Sequence, residues 1–295
     1  MSGVQTVWGW PIAIYLFLAG VAAGAYLAAA YVWYKHGDSP VSRTGIFLTA
    51  PCVGVSILFL FFDLGAPLRF MLAFLKPFSS MISVGTWVLT IFFIISAFQW
   101  LKCFKAREDI LEFSNIIWLV GSIFAVATAV YTGVLLGVVK AIPFWNTPLL
   151  PVLFFISAVS TGIGAILVTV LLRGAKDSDV GLLHSLSRID LLFVGLEVIV
   201  ILFYLVVMGQ SRLAAAESVH MLVAGSYAPV FWAFVVLGLV VPFCLEWSLN
   251  NSHNAQVSSL VVRGTAAGIC LLFGGLALRY LILAVGIFEG FSPVL

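Results

Sequence analysis

The sequence contains eight apolar segments of 18 to 24 residues, which short polar connections separate. A bilayer core of about 30 Å is crossed by about 20 apolar residues in an α-helix. Each segment is therefore long enough to span a membrane. The fold class that they predict is all-α, a polytopic membrane bundle of eight transmembrane helices. The predicted spans are Pro11–Tyr34, Gly45–Phe62, Met81–Leu101, Ile116–Val139, Leu149–Leu172, Leu191–Met208, Tyr227–Leu245 and Gly264–Ile287.

The composition excludes a soluble globular protein. The chain of 295 residues is 63% hydrophobic and 9% charged, whereas soluble domains carry about 25% charged residues. The connections are too short for an independent domain, so residues 1–295 are predicted to form one integral membrane domain. A net charge of +2 indicates no nucleic-acid partner. The first apolar run is too long for the core of a signal peptide, and we expect it to remain as a permanent span.

The positive charges in the connections predict the orientation of the bundle. Eight spans place both termini on one side, here named side A, and the opposite side is named side B. The side-A connections contain four Lys and Arg residues, and the side-B connections contain nine. Short connections rich in Lys and Arg stay in the cytoplasm. Side B is therefore predicted to be cytoplasmic and both termini extracytoplasmic.

Two matching stretches indicate that the halves of the chain are related. Phe17-Leu-Ala-Gly-Val-Ala-Ala-Gly24 in the first span is similar to Phe155-Ile-Ser-Ala-Val-Ser-Thr-Gly162 in the fifth. Residues 1–140 and 141–295 would then be two four-helix bundles related as parallel repeats, a pattern known in membrane proteins. The alternative is that the small residues only let neighbouring helices approach closely.

The histidines and cysteines argue against a bound redox metal. All four histidines fall in the connections between predicted spans, whereas a membrane haem is commonly ligated by histidines that project from the spans. The four cysteines include no CxxC pair, which zinc and iron–sulfur sites usually contain. We therefore expect no haem, no iron–sulfur cluster and no other metal in this chain. The histidines are His36, His184, His220 and His253.

Two ionisable residues lie inside predicted spans. Glu197 is near the middle of the sixth span and Arg279 is in the eighth. Each costs about 2.5–3.5 kcal/mol at the bilayer centre on insertion scales, so a function or a partner is expected. One interpretation is a proton path or a buried pair. In the other, Arg279 extends to the side-A interface and Glu197 is neutral and hydrogen-bonded. Glu246, at the side-B end of the seventh span, is expected to be interfacial.

Side A collects the least ordinary motifs. Trp8-Gly-Trp-Pro11 and Tyr15 open the first span, Asp63-Leu-Gly-Ala-Pro-Leu-Arg69 follows the second, and Tyr131 lies near the end of the fourth. Interfacial aromatic belts explain the Trp residues, but they do not explain Asp63, Arg69 and Tyr131. Acidic, cationic and phenolic groups beside an apolar cavity suit the binding and protonation of a quinone head group.

These motifs resemble a known family. Trp8-Gly-Trp-Pro-Ile-Ala-Ile-Tyr-Leu-Phe-Leu-Ala-Gly20 is similar to the opening of the NrfD/polysulfide reductase membrane subunits. Asp63-Leu-Gly-Ala-Pro-Leu-Arg-Phe70 resembles their Asp-Leu-Gly-Arg-Pro-x-Arg-Phe loop, with Ala66 where Arg is common. The similarity covers nearly the whole chain. It includes Tyr131-Thr-Gly133, Pro143-Phe-Trp-Asn-Thr-Pro-Leu-Leu-Pro151 and Ser157-Ala-Val-Ser-Thr-Gly162.

The resemblance implies a cofactor-free anchor of a respiratory electron-transport oxidoreductase in the cytoplasmic membrane of a prokaryote. Such anchors exchange electrons between an exchangeable quinone, menaquinone or another, and an extracytoplasmic iron–sulfur partner of the ferredoxin-like, four-cluster kind. That partner commonly connects to a molybdopterin or multihaem subunit, which carries the site for the terminal substrate. The quinone site lies at the extracytoplasmic end of the first bundle.

The resemblance also implies site residues. Tyr131 matches a quinone-contacting Tyr of the fourth span, whereas an Asn and a His of the polysulfide reductase branch fall on Ile12 and Tyr15. We expect Tyr15 and Tyr131 to hydrogen-bond the head group, Asp63 to exchange a proton with it, and Arg69 to hold Asp63 or dock the partner. The alternatives are a non-catalytic anchor, a transporter or channel, and a proton-translocating module that uses Glu197.

Overall fold

Long α-helices form nearly all of the computed structural model, which describes residues 3–63, 80–105, 113–174, 177–251 and 257–290. Eight of the helices in these ranges are long and apolar enough to cross a membrane, which confirms the predicted all-α polytopic fold. The helices are α1 Trp10–His36, α2 Pro40–Asp63, α3 Met81–Lys105, α4 Asn115–Gly137, α5 Leu149–Leu172, α6 Asp177–Gly209, α7 Leu213–Val223, α8 Ala228–Asn250 and α9 Val257–Ala284.

Several helices continue beyond their apolar segments, and this corrects the placement of the histidines. α6 has 33 residues and begins 14 residues before the predicted span, so His184 lies on a helix. His36 is the last residue of α1, and His220 lies on the short helix α7. The prediction that these three lie in loops is wrong. Hydropathy identifies only the part of a helix that crosses the apolar core of the membrane, and a helix can continue beyond it. His253 lies outside the described residues.

The helices of each half contact one another in the same cyclic order. In the first half, α1 packs on α2, α2 on α3, α3 on α4, and α4 returns to α1. In the second half, α5 packs on α6, α6 on α8, α8 on α9, and α9 returns to α5. α1 and α5 also pack on each other, and they are the two most enclosed spans of the described part of the protein.

The contact between α1 and α5 is made by glycine. A Cβ atom added to Gly24 would lie 1.9 Å from the carbonyl oxygen of Ala158, and one added to Gly162 would lie 2.2 Å from the backbone nitrogen of Ala25. The two backbones therefore touch directly, which is the packing that the small residues predicted. Gly24 and Gly162 are also the corresponding last residues of the two matching stretches.

The two ends of the described chain meet on side A. The backbone N–H of Gln5 donates to the carbonyl oxygen of Gly286 at 2.8 Å, and that of Phe288 donates to the carbonyl oxygen of Gly3 at 2.9 Å. The segment before α1 is thereby fixed against the segment after α9. Both ends of the described residues therefore lie at the same face, as an even number of spans requires.

The seventh span, α8, is irregular in its middle. Residues Phe234–Val240 form π-helical turns just before Pro242, which has no N–H for the helical hydrogen bonds. A π-turn adds a residue and changes the direction in which later side chains point. The face on which Glu246 lies therefore does not follow from regular helical periodicity.

Candidate functional site

Two buried tyrosines face each other near side A. Tyr15 is five residues after the start of α1 and Tyr131 is six residues before the end of α4, which places both about 8–9 Å inside their helices. Tyr15 is 0% exposed and Tyr131 is 6% exposed. Their phenol groups are close enough to interact, but the hydroxyl of Tyr15 makes no well-aligned hydrogen bond among the described residues. The structure thus brings together two of the residues that the sequence assigned to quinone binding.

A glycine of α3 makes the room that Tyr131 occupies. A Cβ atom added to Gly85 would lie 1.7 Å from Cζ and 2.0 Å from the hydroxyl oxygen of Tyr131. The phenol ring therefore lies directly on the backbone of α3. Gly85 was not predicted as a site residue, because a glycine in an apolar run carries no sign of what packs against it.

The other two predicted site residues are at the limit of what the structure describes. Asp63 is the last residue of α2, at its side-A end, but its side chain is outside the described part. Arg69 lies in the segment 64–79, which is also outside the described residues. The roles predicted for Asp63 and Arg69 stay predictions.

The aromatic turn between α4 and α5 is part of the core. The indole N–H of Trp145 donates to the carbonyl oxygen of Ile282 at 2.7 Å, and the ring stacks on Trp8 with centroids 5.4 Å apart. The hydroxyl of Tyr204 donates to the carbonyl oxygen of Phe144. Trp145 is only 2% exposed, so this Trp does not belong to an interfacial belt. The turn joins the side-A ends of α6 and α9.

Arg279 is wholly buried between α1, α5 and α9. Its guanidinium donates to the carbonyl oxygens of Leu16 at 3.2 Å and Gly275 at 2.7 Å, and to the hydroxyl of Ser157 at 3.2 Å. The interpretation that Arg279 extends to the side-A interface is therefore wrong. These three acceptors hold the cation inside the protein, and Gly20 leaves space for it on α1, since a Cβ there would lie 2.5 Å from Nη2.

Glu197 is buried on the face of α6 that packs on α5. Its carboxyl interacts with the hydroxyl of Ser157 and with the charge of Arg279. No ion pair within 4.0 Å joins Glu197 and Arg279 in the described part of the protein. Ser157 lies between them, because it accepts a hydrogen bond from Arg279.

The structure also contains a buried acidic pair that was not predicted from the sequence. Asp190 on α6 and Glu246 on α8 are both 0% exposed, and their carboxyl groups face each other. Glu246 lies near the side-B end of α8, as expected, but the protein encloses its side chain, so it is not exposed at the interface. Both residues adjoin the ends of predicted spans, where a charge is usually interfacial. The signal that was available is the spacing of Asp190 and Glu197, which puts both on one face of a helix two turns apart.

The fold and this distribution of residues define a class, namely a multi-pass helical membrane protein with a buried phenol pair near one face. Comparison with known proteins identifies the family. The profile of the family "Polysulphide reductase, NrfD" matches residues 2–289, and the chain belongs to that family. It is a transmembrane anchor subunit of a respiratory oxidoreductase.

Individual relatives match along nearly the whole sequence. The C subunit of polysulfide reductase from Wolinella succinogenes is 33% identical over 95% of this chain and 94% of its own length. Protein NrfD of Escherichia coli is 30% identical over 95% of both proteins. The integral membrane subunit of an Hdr-like menaquinol oxidoreductase from Archaeoglobus fulgidus is 24% identical over 84% of this chain and 64% of its own length.

Proposed function

We propose that this subunit exchanges electrons between a membrane quinone and an iron–sulfur partner subunit on side A, and that the quinone head group binds at Tyr15 and Tyr131. The observation that carries the proposal is the buried phenol pair with its unpartnered hydroxyl. An unsatisfied buried hydroxyl is costly and calls for a partner. A relative named as a menaquinol oxidoreductase subunit supports a quinone, with menaquinone as the preferred one.

The chemistry assigned to the site is hydrogen bonding and proton exchange. The phenols of Tyr15 and Tyr131 donate hydrogen bonds to the oxygens of the head group. Oxidation of a quinol releases two electrons and two protons, so a proton acceptor is needed beside it. Asp63, at the end of α2, takes that role, and Arg69 holds Asp63 or docks the partner. The electrons pass directly to a cluster of the iron–sulfur partner, which is ferredoxin-like and connects to a molybdopterin or multihaem catalytic subunit.

The orientation follows from the charges of the connections. Side B, with nine cations against four, is cytoplasmic by the positive-inside rule. Side A is then extracytoplasmic, with both termini and the phenol pair, and protons from quinol are released there. The membrane is the cytoplasmic membrane of a prokaryote.

We also propose that residues 1–140 and 141–295 are two related four-helix bundles, with the quinone site in the first. The identical cyclic order of helix contacts in the two halves supports this division. So does the contact of Gly24 with Gly162, since corresponding residues meet at an axis that relates two repeats.

Quinone binding is tested separately from activity. The purified subunit is reconstituted in nanodiscs with menaquinone, and the bound quinone is extracted and quantified. At a menaquinone concentration well below saturation, Tyr15→Phe and Tyr131→Phe are expected to weaken the affinity, and hence lower the occupancy, about tenfold, equal to about 1.4 kcal/mol. Tyr26→Phe is the matched control, because Tyr26 is a buried phenol of α1 farther from side A. Equal occupancy in all four proteins would favour a non-catalytic anchor.

A second candidate function is proton translocation, with Glu197 and Arg279 as its path. The contacts of Ser157 with both residues favour it, because they form a short polar connection inside the second half. Glu197→Gln is expected to lower the number of protons transferred per electron in liposomes that hold the complete complex. An unchanged ratio would make Glu197 a structural residue.

A further inference from the structure

A group of buried polar atoms around Asp190 and Glu246 lies in the second half, nearer side B than Glu197 and Arg279. Asp190 and Glu246 are both fully buried, and none of their four carboxyl oxygens has a hydrogen-bond partner among the described residues. Glu246 is four residues from the side-B end of α8, about 6 Å along the helix. The two carboxyl groups come from different helices and interact with each other.

The surroundings of the pair offer a hydroxyl but no cation among the residues that the structure describes. Ser160 of α5 is 1% exposed, and its hydroxyl lies beside the carboxyl of Asp190 without a well-aligned hydrogen bond. The next ionisable group is Glu197, two turns farther along α6. Because Glu197 is also acidic, it adds to the negative charge near the pair and does not neutralise it.

The described cations of α6 and of the helices packed on it do not face the pair. Arg188, two residues before Asp190 on α6, is exposed. Arg279 of α9 interacts with Glu197, and Arg263 of α9 is exposed and donates to Ser248. Arg43 of α2 pairs with Asp38. Within the described ranges, none of these side chains neutralises Asp190 or Glu246.

Two ionised carboxylates cannot remain together in such a place. Burial removes the water that stabilises each charge, and two like charges at short range repel each other strongly in an apolar interior. A hydrogen ion on one carboxyl removes the repulsion and one of the two buried charges, and the protonated group then donates a hydrogen bond that stabilises the remaining carboxylate. One of the four carboxyl oxygens then donates a hydrogen bond, and an oxygen of the other carboxyl group accepts it.

We propose that Asp190 and Glu246 form a proton-binding site in which the two carboxyl groups hold one proton between them. A hard metal cation fits less well, because Mg²⁺ and Ca²⁺ take six or more oxygen ligands. In the described part of the chain, no three acidic, histidine or cysteine side chains come together as metal ligands. The site does not depend on the quinone proposal, since it concerns other helices and another depth.

Unpartnered polar groups continue from the pair toward side B. Ser187 is one turn before Asp190 on α6, and Asn250 is one turn after Glu246 on α8. The side-chain hydroxyl of Ser187 and the amide of Asn250 are inaccessible and have no hydrogen-bond partner within the described ranges. They give the site polar neighbours between the pair and the side-B end of the bundle.

Infrared spectroscopy of the full-length protein tests the site without quinone or partner. The C=O stretching band of protonated carboxyl groups is recorded at neutral pH in nanodiscs. Asp190→Asn together with Glu246→Gln is expected to remove part of this band. Glu217→Gln, an exposed carboxyl of α7, leaves the band unchanged. Glu197→Gln is measured in parallel so that its contribution is assigned separately.

Isotope labelling gives the same measurement without a substitution. Carboxyl-¹³C aspartate or glutamate in the otherwise unchanged protein shifts the band of whichever residue carries the proton. The proposal predicts that the component of the C=O band lost in the double variant Asp190→Asn, Glu246→Gln is the same component that labelled aspartate or labelled glutamate shifts. A band identical in the double variant and the original protein would overturn it. So would a band that is absent in sodium-containing buffer and appears when sodium is removed, because a metal cation would then occupy the pair.

Discussion

The ring of Tyr131 lies on the backbone of Gly85, so closely that a single added carbon at Gly85 would be 1.7 Å from the ring. This contact positions the phenol of α4 toward Tyr15 of α1. The candidate quinone site is therefore built by three helices of the first half, and one of them contributes only the absence of a side chain.

Replacing Gly85 by alanine should displace Tyr131. Because a contact this short cannot be accommodated, the ring must move, and quinol-linked turnover of the complex is expected to fall at least about tenfold, or about 1.4 kcal/mol. Gly195→Ala is the control, since its added Cβ would lie 3.9 Å from the nearest atom, on Phe243. Normal turnover in Gly85→Ala would mean that the position of Tyr131 does not matter.

Replacing Gly24 by alanine should loosen the contact between α1 and α5. Overpacking of a tight contact costs about 1–3 kcal/mol, and here the obstacle is backbone, which cannot rotate away. The thermal midpoint of the purified subunit is expected to drop, and Gly162→Ala should show a similar drop. If both variants unfold at the temperature of Gly195→Ala, the two helices do not depend on this crossing.

Replacing Arg279 by methionine should lower the thermal stability of the protein, because Arg279 of the second half is hydrogen-bonded to α1 of the first half. The substitution removes the charged hydrogen bonds of the guanidinium to the carbonyl oxygens of Leu16 and Gly275 and to the hydroxyl of Ser157. Hydrogen bonds to charged groups contribute about 1.5–3 kcal/mol each. Arg263→Met is the comparison, because Arg263 is exposed and makes one long contact of 3.4 Å with Ser248. Equal stability of the two variants would contradict a structural role for Arg279.

Cysteine labelling should locate the two termini. A single reactive cysteine added at either terminus is expected to react with a membrane-impermeant reagent in intact cells, because side A is assigned to the outside. A cysteine added at Gly174, between α5 and α6, should react only after the membrane is opened. The reverse pattern would invert the bundle and move the quinone site to the cytoplasmic side.

The eight spans were predictable because the lipid imposes one length and one polarity on every crossing. The fifth helix was predicted as Leu149–Leu172 and has those bounds in the structure. The early start of α6 was not predictable from hydropathy, since its first turns are polar. The helix α7, between the sixth and seventh spans, was missed for a related reason, as its 11 residues are too few to span.

The candidate site was predictable only in part. Tyr131 was proposed because an interfacial aromatic belt does not explain a phenol about two turns inside a span, and because the family resemblance marked it, as it did the position of Tyr15. Gly85 and the pairing of Asp190 with Glu246 could not be found in this way. Each depends on which helices become neighbours, and that information is not contained in any single segment.

The most direct test of the central claim is the quinol-linked activity of Tyr131→Phe in the complete membrane complex. The substitution removes one hydroxyl and leaves the ring that packs on Gly85. We predict that turnover with menaquinol falls at least about tenfold, or about 1.4 kcal/mol, and that Asp63→Asn behaves likewise. Turnover of the catalytic partner with an artificial soluble donor should stay unchanged in both. Undiminished menaquinol turnover in Tyr131→Phe would contradict the account.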